Sequence, residues 1–206
     1  MSLPSSSSSD PSVVSQLLAT AHWAALAHGQ QRRKSGSQPA YIQHPLHVAS
    51  LLASPPSSLC PDPPLEILQA AILHDTVEDT DVTEQDLQDR FGPVVTRIVM
   101  ECSDDKDLSK EARKQAQIDS APHKSDGAKH VKLADKLSNL TDLMSPEGRP
   151  AGWSVKRIQE YFIWAKRVTD RCIDVNPGLG AQLEELYKSA TFVHSGKTFK
   201  CHPDYE

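Results

Sequence analysis

Leu65-Glu66-Ile67-Leu68-Gln69-Ala70-Ala71-Ile72-Leu73-His74-Asp75-Thr76-Val77-Glu78-Asp79 is the stretch on which the fold turns. Leu65, Leu68, Ala71 and Ile72 recur at helical spacing and predict a buried helix starting near Leu65. The helix runs straight into four ionisable groups. On a continuous rod His74 and Glu78 are four apart, as are Asp75 and Asp79, and the two pairs occupy adjacent stripes on one side. Ionisable groups at the end of a buried helix are costly unless something compensates them. A divalent cation would do so, and imidazole with carboxylate suits Mn, Fe, Zn or Co better than Ca or Mg. The alternative is a solvated helix end whose acidic groups face water.

The same period extends outward in both directions. Val13, Val14, Leu17, Leu18, Ala21, Ala24 and Ala25 predict a helix ending at Gly29, with one shared apolar face. A second helix follows His44-Pro45, with proline tolerated in the first turn. Ser54 to Pro64, with five prolines, is an extended loop. Thr83 reads as the cap of a short helix, and Phe91-Gly92-Pro93 restarts the chain. Further helices are expected over roughly Ser125 to Met144, from Ser154 onward, and through Leu179, Leu183, Leu186 and Tyr187. Trp153, Trp164 and Phe162 are expected in the core. No stretch reads as a strand, so the expected fold is all-α, one domain of about eight or more helices. Residues 1–12 are expected to be a disordered Ser/Pro-rich tail, 13–193 the folded domain and 194–206 a loose tail.

The chain has 206 residues, 22 Lys+Arg, 27 Asp+Glu, nine His and a net charge of −5. That balance argues against nucleic-acid binding, and the 5% aromatic content argues against a base-stacking surface. No apolar run approaches the ~20 residues that span a bilayer. Cys60, Cys102, Cys172 and Cys201 are scattered, without metal-ligand or disulfide-framework spacing, so free thiols in a reducing compartment are expected. Met1 to Pro11 lacks the basic and apolar regions of a secretory signal. A cytoplasmic location follows as the expectation; oligomeric state is left open.

Two further residues add to His74 and Asp75. His44 sits in Tyr41-Ile42-Gln43-His44-Pro45. Asp135 sits in Val131-Lys132-Leu133-Ala134-Asp135-Lys136-Leu137, whose apolar positions imply burial. Alone, His44 reads as a satisfied helix-start histidine and Asp135 as a core carboxylate paired to lysine. Together the four form a two-histidine, two-carboxylate set with room for water. The other seven histidines, His47 among them, are expected to be structural or exposed.

The order His, His-Asp, Asp resembles the HD-domain metal-dependent phosphohydrolases. Tyr41 to Pro45, Ala71 to Thr80 (with HDTVEDT) and Val131 to Asn139 are similar, more closely, to the hydrolase domain of the RelA/SpoT family. The likeness is greatest to its small stand-alone metazoan type and covers roughly residues 13 to 190. The resemblance implies Mn²⁺-dependent hydrolysis of guanosine 3′,5′-bis(diphosphate), the stringent-response alarmone ppGpp, to GDP and pyrophosphate. It implies one Mn²⁺ per chain on His44, His74, Asp75 and Asp135; Fe²⁺ and Zn²⁺ also suit these ligands. Glu78 and Asp79 match the carboxylate pair that positions or activates the attacking water. Arg33 and Lys34 match the basic loop facing substrate, and Tyr41, Lys110, Asn139, Arg157 and Tyr161 match positions lining the nucleotide or phosphate site.

The chemistry accords with this. Phosphoester hydrolysis at a metal needs a polarised phosphoryl oxygen and water of lowered pKa. Arg32-Arg33-Lys34 is the densest cationic run and precedes His44; Asn139 follows Asp135 by one turn. The same site would serve an NADPH 2′-phosphatase, and a nucleotide sensor without turnover is the non-enzymatic alternative. Two positions depart from the family: Gln43 replaces a common Asn, and Ser138 replaces an aromatic that often stacks near the base, which predicts weaker base recognition.

Overall fold

The computed structural model describes residues 11–205. In chain order it contains α1 (Val13–His28), α2 (Gln43–Ala53), α3 (Leu65–Leu73), the single turn α4 (Thr76–Asp79), α5 (Glu84–Cys102), α6 (Lys110–Ser120), α7 (Asp126–Met144), α8 (Val155–Thr169) and α9 (Pro177–Ser189). Helix starts follow capping chemistry. Ser12, Thr83, Ser109, Ser125 and Ser154 each accept a backbone N–H of the helix they open. Thr83 and Asp86 complete a reciprocal capping box. Within α5 the chain kinks at Gly92, whose φ of 78° favours glycine, and Pro93 restarts the helix.

Helix α7 is the axis of the molecule. It packs against α2, α3, α5, α8 and α9. Ala128, Val131, Leu133, Ala134, Leu137 and Leu140 along it are buried, and so are the polar Lys132, Asp135, Lys136 and Ser138. Helix α3 lies against α1, α2, α5 and α7, and its stretch from Leu68 to Leu73 is buried as the sequence predicts. The proline-rich loop is pinned by Asn176, the cap of α9. Its Oδ1 accepts Ser58 N at 2.9 Å and Leu179 N at 3.1 Å, and its Nδ2 reaches Ser57 Oγ at 3.1 Å.

Four expectations change. The fold is helical except for a hairpin, β1 (Thr191–His194) and β2 (Lys197–Lys200), antiparallel with Phe192 opposite Phe199. The expected loose tail 194–206 therefore contains a strand, and Cys201 beyond it is fully buried. Ser195 and Gly196 turn the hairpin with φ of 49° and 73°, the left-handed pair that a two-residue hairpin loop requires. Helix α1 does not bury its whole apolar stripe. It packs through Leu17, Ala21, Ala24 and the neighbouring Thr20, while Val13, Val14 and Leu18 stay exposed. Helix α6, which the sequence reading does not place, forms in the charged stretch after Asp104. For residues 1–10 the predicted disordered tail lies outside the described residues; Ser12 already caps α1.

Arg149 joins the hairpin to the end of α7. Its guanidinium donates to Leu143 O at 3.1 Å, Met144 O at 3.2 Å and Val193 O at 3.0 Å, and stacks over the Phe192 ring at 5.0 Å. Gly36 N in turn donates to Arg149 O at 3.2 Å, which ties in the basic loop near Arg33. Arg149→Ala removes one charged donor group serving three carbonyls. It should cost about 2–3 kcal/mol of stability, read as a lower midpoint of urea unfolding with an unchanged slope.

Candidate metal centre and flanking cavities

Three separate segments bring the four predicted ligands together. His44 comes from the first turn of α2, His74 and Asp75 from the junction of α3 and α4, and Asp135 from the middle of α7. The ligand atoms of His44, His74 and Asp75 all lie within 4.8 Å of one another. Asp135 Oδ1 adds to them at 3.2 Å from His44 Nε2 and 3.9 Å from His74 Nε2. His74 Nε2 is 3.1 Å from Asp75 Oδ2 but has no hydrogen-bond partner in line, although it is buried. A buried nitrogen that faces carboxylate oxygens without bonding to them is the arrangement of a lone pair sharing a cation with them. The donor set, two imidazoles and two carboxylates, fits a divalent transition metal.

Each ligand is held from behind. His74 Nδ1 lies 2.8 Å from Ala71 O, so the backbone of α3 fixes its tautomer. Tyr41 donates its hydroxyl to Asp75 Oδ2 at 2.6 Å. Asp135 receives Asn139 Nδ2 at 2.6 Å and Lys136 Nζ at 2.9 Å. His44 Nδ1 lies 3.1 Å from Ser138 Oγ.

Burial opposes charge on His74, but Asp75 and Asp135 outweigh it and pull the imidazole up to about 9. Burial would raise Asp75, yet His74 and His44 hold it well below the usual carboxylate range. Burial likewise opposes Asp135, and Lys136 and His44 hold it low. His44 goes the other way: burial lowers it despite Asp135. Burial, with Asp75 and Asp79 adding to it, pushes the Tyr41 phenol up, so it stays a donor.

Glu78 and Asp79 do not act from the same helix as the ligands. Helix α3 ends at Leu73, Asp75 takes φ −99° and ψ −5°, and α4 begins at Thr76. Glu78 accepts the Asp104 N–H at 3.2 Å and lines a cavity of about 400 Å³ with Asp104 and Lys106. Burial and the Asp104 carboxylate raise its pKa. Asp79 accepts Gln31 Nε2 at 3.3 Å and lines a different cavity, of about 320 Å³, with Arg33, Lys34, Tyr41, Asn139 and Tyr161.

Arg33 bonds Asp142 Oδ2 at 2.7 Å and Asn139 Oδ1 at 2.9 Å. Lys110 and Arg157 line a neighbouring cavity of about 670 Å³, and Lys34 and Tyr161 face both. Asn139, expected to face phosphate, spends its amide on Asp135. Ser138 is 1% exposed, sits between His44 and His47, and lines a third cavity of about 360 Å³ with Arg33, Gln43 and Asp142. Trp153, expected in the core, walls both cavities and carries the Arg157 guanidinium 4.4 Å above its ring. Trp164 is half-buried beside Lys136, while Phe162 is fully in the core. Lys136 and His47 are missed by sequence reasoning as parts of the site, and Ser138 is found only as a departure near the base. Only the adjacency of Lys136 to Asp135 hinted at the first.

A model of the HD domain matches residues 20–160. The guanosine-3′,5′-bis(diphosphate) 3′-pyrophosphohydrolase MESH1 of Homo sapiens is 47% identical over 177 residues, 86% of this chain and 96% of that protein. Its namesake in Drosophila melanogaster is 42% identical over 166 residues, 81% and 89% of the two chains. A solved structure reported as a metazoan ortholog of SpoT that hydrolyzes ppGpp superposes with a TM-score of 0.77 at 39% identity, covering 86% of this chain and 96% of its own.

The raised His74 pKa sets a pH signature for the metal-free protein. Protonated His74 contributes stability fully below its unfolded value of 6.5, and this is lost as pH rises through about 9. Thermal unfolding in chelator should therefore show a falling midpoint across that window. The increment from added divalent metal should grow over the same window, because protons cease to compete. A flat midpoint in chelator contradicts the pairing of a protonated His74 with Asp75 and Asp135.

Proposed function

Since this chain belongs to the HD-domain family, alongside the metazoan MESH1 pyrophosphohydrolases, we propose that it is a Mn²⁺-dependent hydrolase of guanosine 3′,5′-bis(diphosphate). Its products would be GDP and pyrophosphate. The observation that carries this proposal is the convergence of His44, His74, Asp75 and Asp135 from three segments, with an unbonded imidazole nitrogen among them. These four would hold the cation. When bound, it supplies Lewis acidity toward a phosphoryl oxygen and lowers the pKa of water.

The remaining work falls to the chain. Tyr41, Asn139 and Lys136 keep the carboxylates aimed, at 2.6 to 2.9 Å. Glu78, whose pKa burial and Asp104 raise, takes the proton of the attacking water. Asp79, in the cavity beside Arg33 and Tyr41, orients substrate or water. Lys34, Lys110 and Arg157 oppose the phosphate charge, and Trp153 and Tyr161 supply apolar walls for the nucleoside. Arg33 exchanges its Asp142 carboxylate for a phosphate oxygen as substrate enters. Free cysteines at Cys60, Cys102, Cys172 and Cys201 suit a cytoplasmic location, and no described helix is long and apolar enough to cross a membrane.

The purified protein with Mn²⁺ should release pyrophosphate from ppGpp. Release of orthophosphate from NADPH without turnover of ppGpp would replace this function, and nucleotide binding without turnover of either would make the protein a sensor. Asp75→Ala should abolish metal binding and turnover with helicity retained by circular dichroism. Glu78→Ala should keep the metal and lose about 10²–10⁴-fold in kcat. Arg157→Ala should raise KM by about tenfold with a smaller change in kcat, the scale of one charged hydrogen bond.

A further inference from the structure

We infer that Ser138 and His47 form a directional hydrogen-bond relay behind the metal centre, which selects the tautomer of His44 that can bind metal. The inference rests on the assignment of His44 as a ligand in the proposed function. His44 Nε2 faces the cluster, 3.2 Å from Asp135 Oδ1 and 3.7 Å from Asp75 Oδ2. Its other nitrogen, Nδ1, is 3.1 Å from Ser138 Oγ, and the same oxygen is 3.0 Å from His47 Nδ1. The hydroxyl is buried at the α2–α7 contact, and His47 stands on the exposed side of α2 one turn beyond His44.

Ser138 Oγ bonds only these two rings among the described residues, so its buried hydroxyl hydrogen must go to one of them, and proton bookkeeping then allows two settings. Ser138 has a single hydroxyl hydrogen. In one setting His44 Nδ1–H donates to Oγ, and the hydroxyl donates to His47 Nδ1. His44 Nε2 then carries a lone pair toward the cluster, and His47 carries its hydrogen on Nε2. In the reverse setting His47 Nδ1–H donates to Oγ, and the hydroxyl donates to His44 Nδ1. His44 then carries a hydrogen on Nε2, and that nitrogen cannot bind a cation. Metal binding and the first setting therefore select each other. His47 supplies the acceptor that completes it, and Ser138 is the only group bonded to both rings among the described residues. These are positioning residues: neither touches the cluster.

The test measures Mn²⁺ affinity by electron paramagnetic resonance of the free ion, with circular dichroism as the control for folding. Ser138→Ala should weaken Mn²⁺ binding about 10–100-fold, while kcat returns at saturating Mn²⁺. Ser138→Thr, which keeps the hydroxyl, should restore affinity to within a few-fold of wild type. His47→Phe removes the final acceptor and should give a smaller loss than Ser138→Ala. In the Zn²⁺-loaded protein, ¹⁵N spectra of the imidazoles should show His47 with its hydrogen on Nε2. Wild-type protein that binds no Mn²⁺ overturns the metal centre itself. Wild-type binding with unchanged affinity in Ser138→Ala, or His47 found with its hydrogen on Nδ1, overturns the relay alone.

Discussion

A carboxylate in the middle of a helix covered on every side dictates much of this molecule. Asp135 sits on α7 among residues that are themselves buried, where an uncompensated charge would cost several kcal/mol even after relaxation. Without a cation three partners answer that cost: Lys136 on one oxygen, and Asn139 and the hydrogen-bearing Nε2 of His44 on the other. Each comes at a structural condition. Lys136 must be buried with it, Asn139 must stay one turn along, and His44 must be delivered by α2, which packs closely on α7. The cluster around His74 and Asp75 is thus part of the electrostatics of the core, and a cation there completes a balance that the helices have begun.

The acidic chain reverses its sign locally. Two cavities meet at Lys34, Trp153 and Tyr161 beside the cluster, and the basic side chains Arg33, Lys110 and Arg157 face them. These cations come from three distant segments, the loop before α2, the start of α6 and α8. Arg32-Arg33-Lys34 marks one part of the patch in the sequence, and Lys110 and Arg157 join it from far along the chain. A small phosphorylated ligand needs only this local field, so a net charge of −5 is no obstacle.

The helices and the four candidate ligands were legible because both leave strong local marks. Apolar spacing located α3 and α7, the Thr83 cap located the start of α5, and His74-Asp75 stands out against an apolar run. The separation of Glu78 from Asp79 was not legible, since adjacent residues of a helical turn point about 100° apart and the neighbours they meet, Asp104 and Gln31, come from distant segments. Ser138 and His47 join through a contact between α2 and α7, across 91 residues of sequence. Trp153 looked like core because an aromatic before a helix gives no sign of whether it faces neighbours or a cavity. The hairpin did leave a mark, Ser195-Gly196 between Phe192 and Phe199, but four-residue strands are too short for alternation to stand out.

The two histidines of the centre are oriented by different kinds of acceptor. His74 leans on the carbonyl of Ala71, an atom that every residue type supplies. No point mutation at position 71 removes that oxygen while the helix stands. His44 leans on a hydroxyl that belongs to one side chain. Sequence drift can therefore retune one half of the centre and hardly touch the other. Divergence in metal preference among proteins of this architecture should accumulate around the α2 histidine, while the α3 histidine stays a fixed reference.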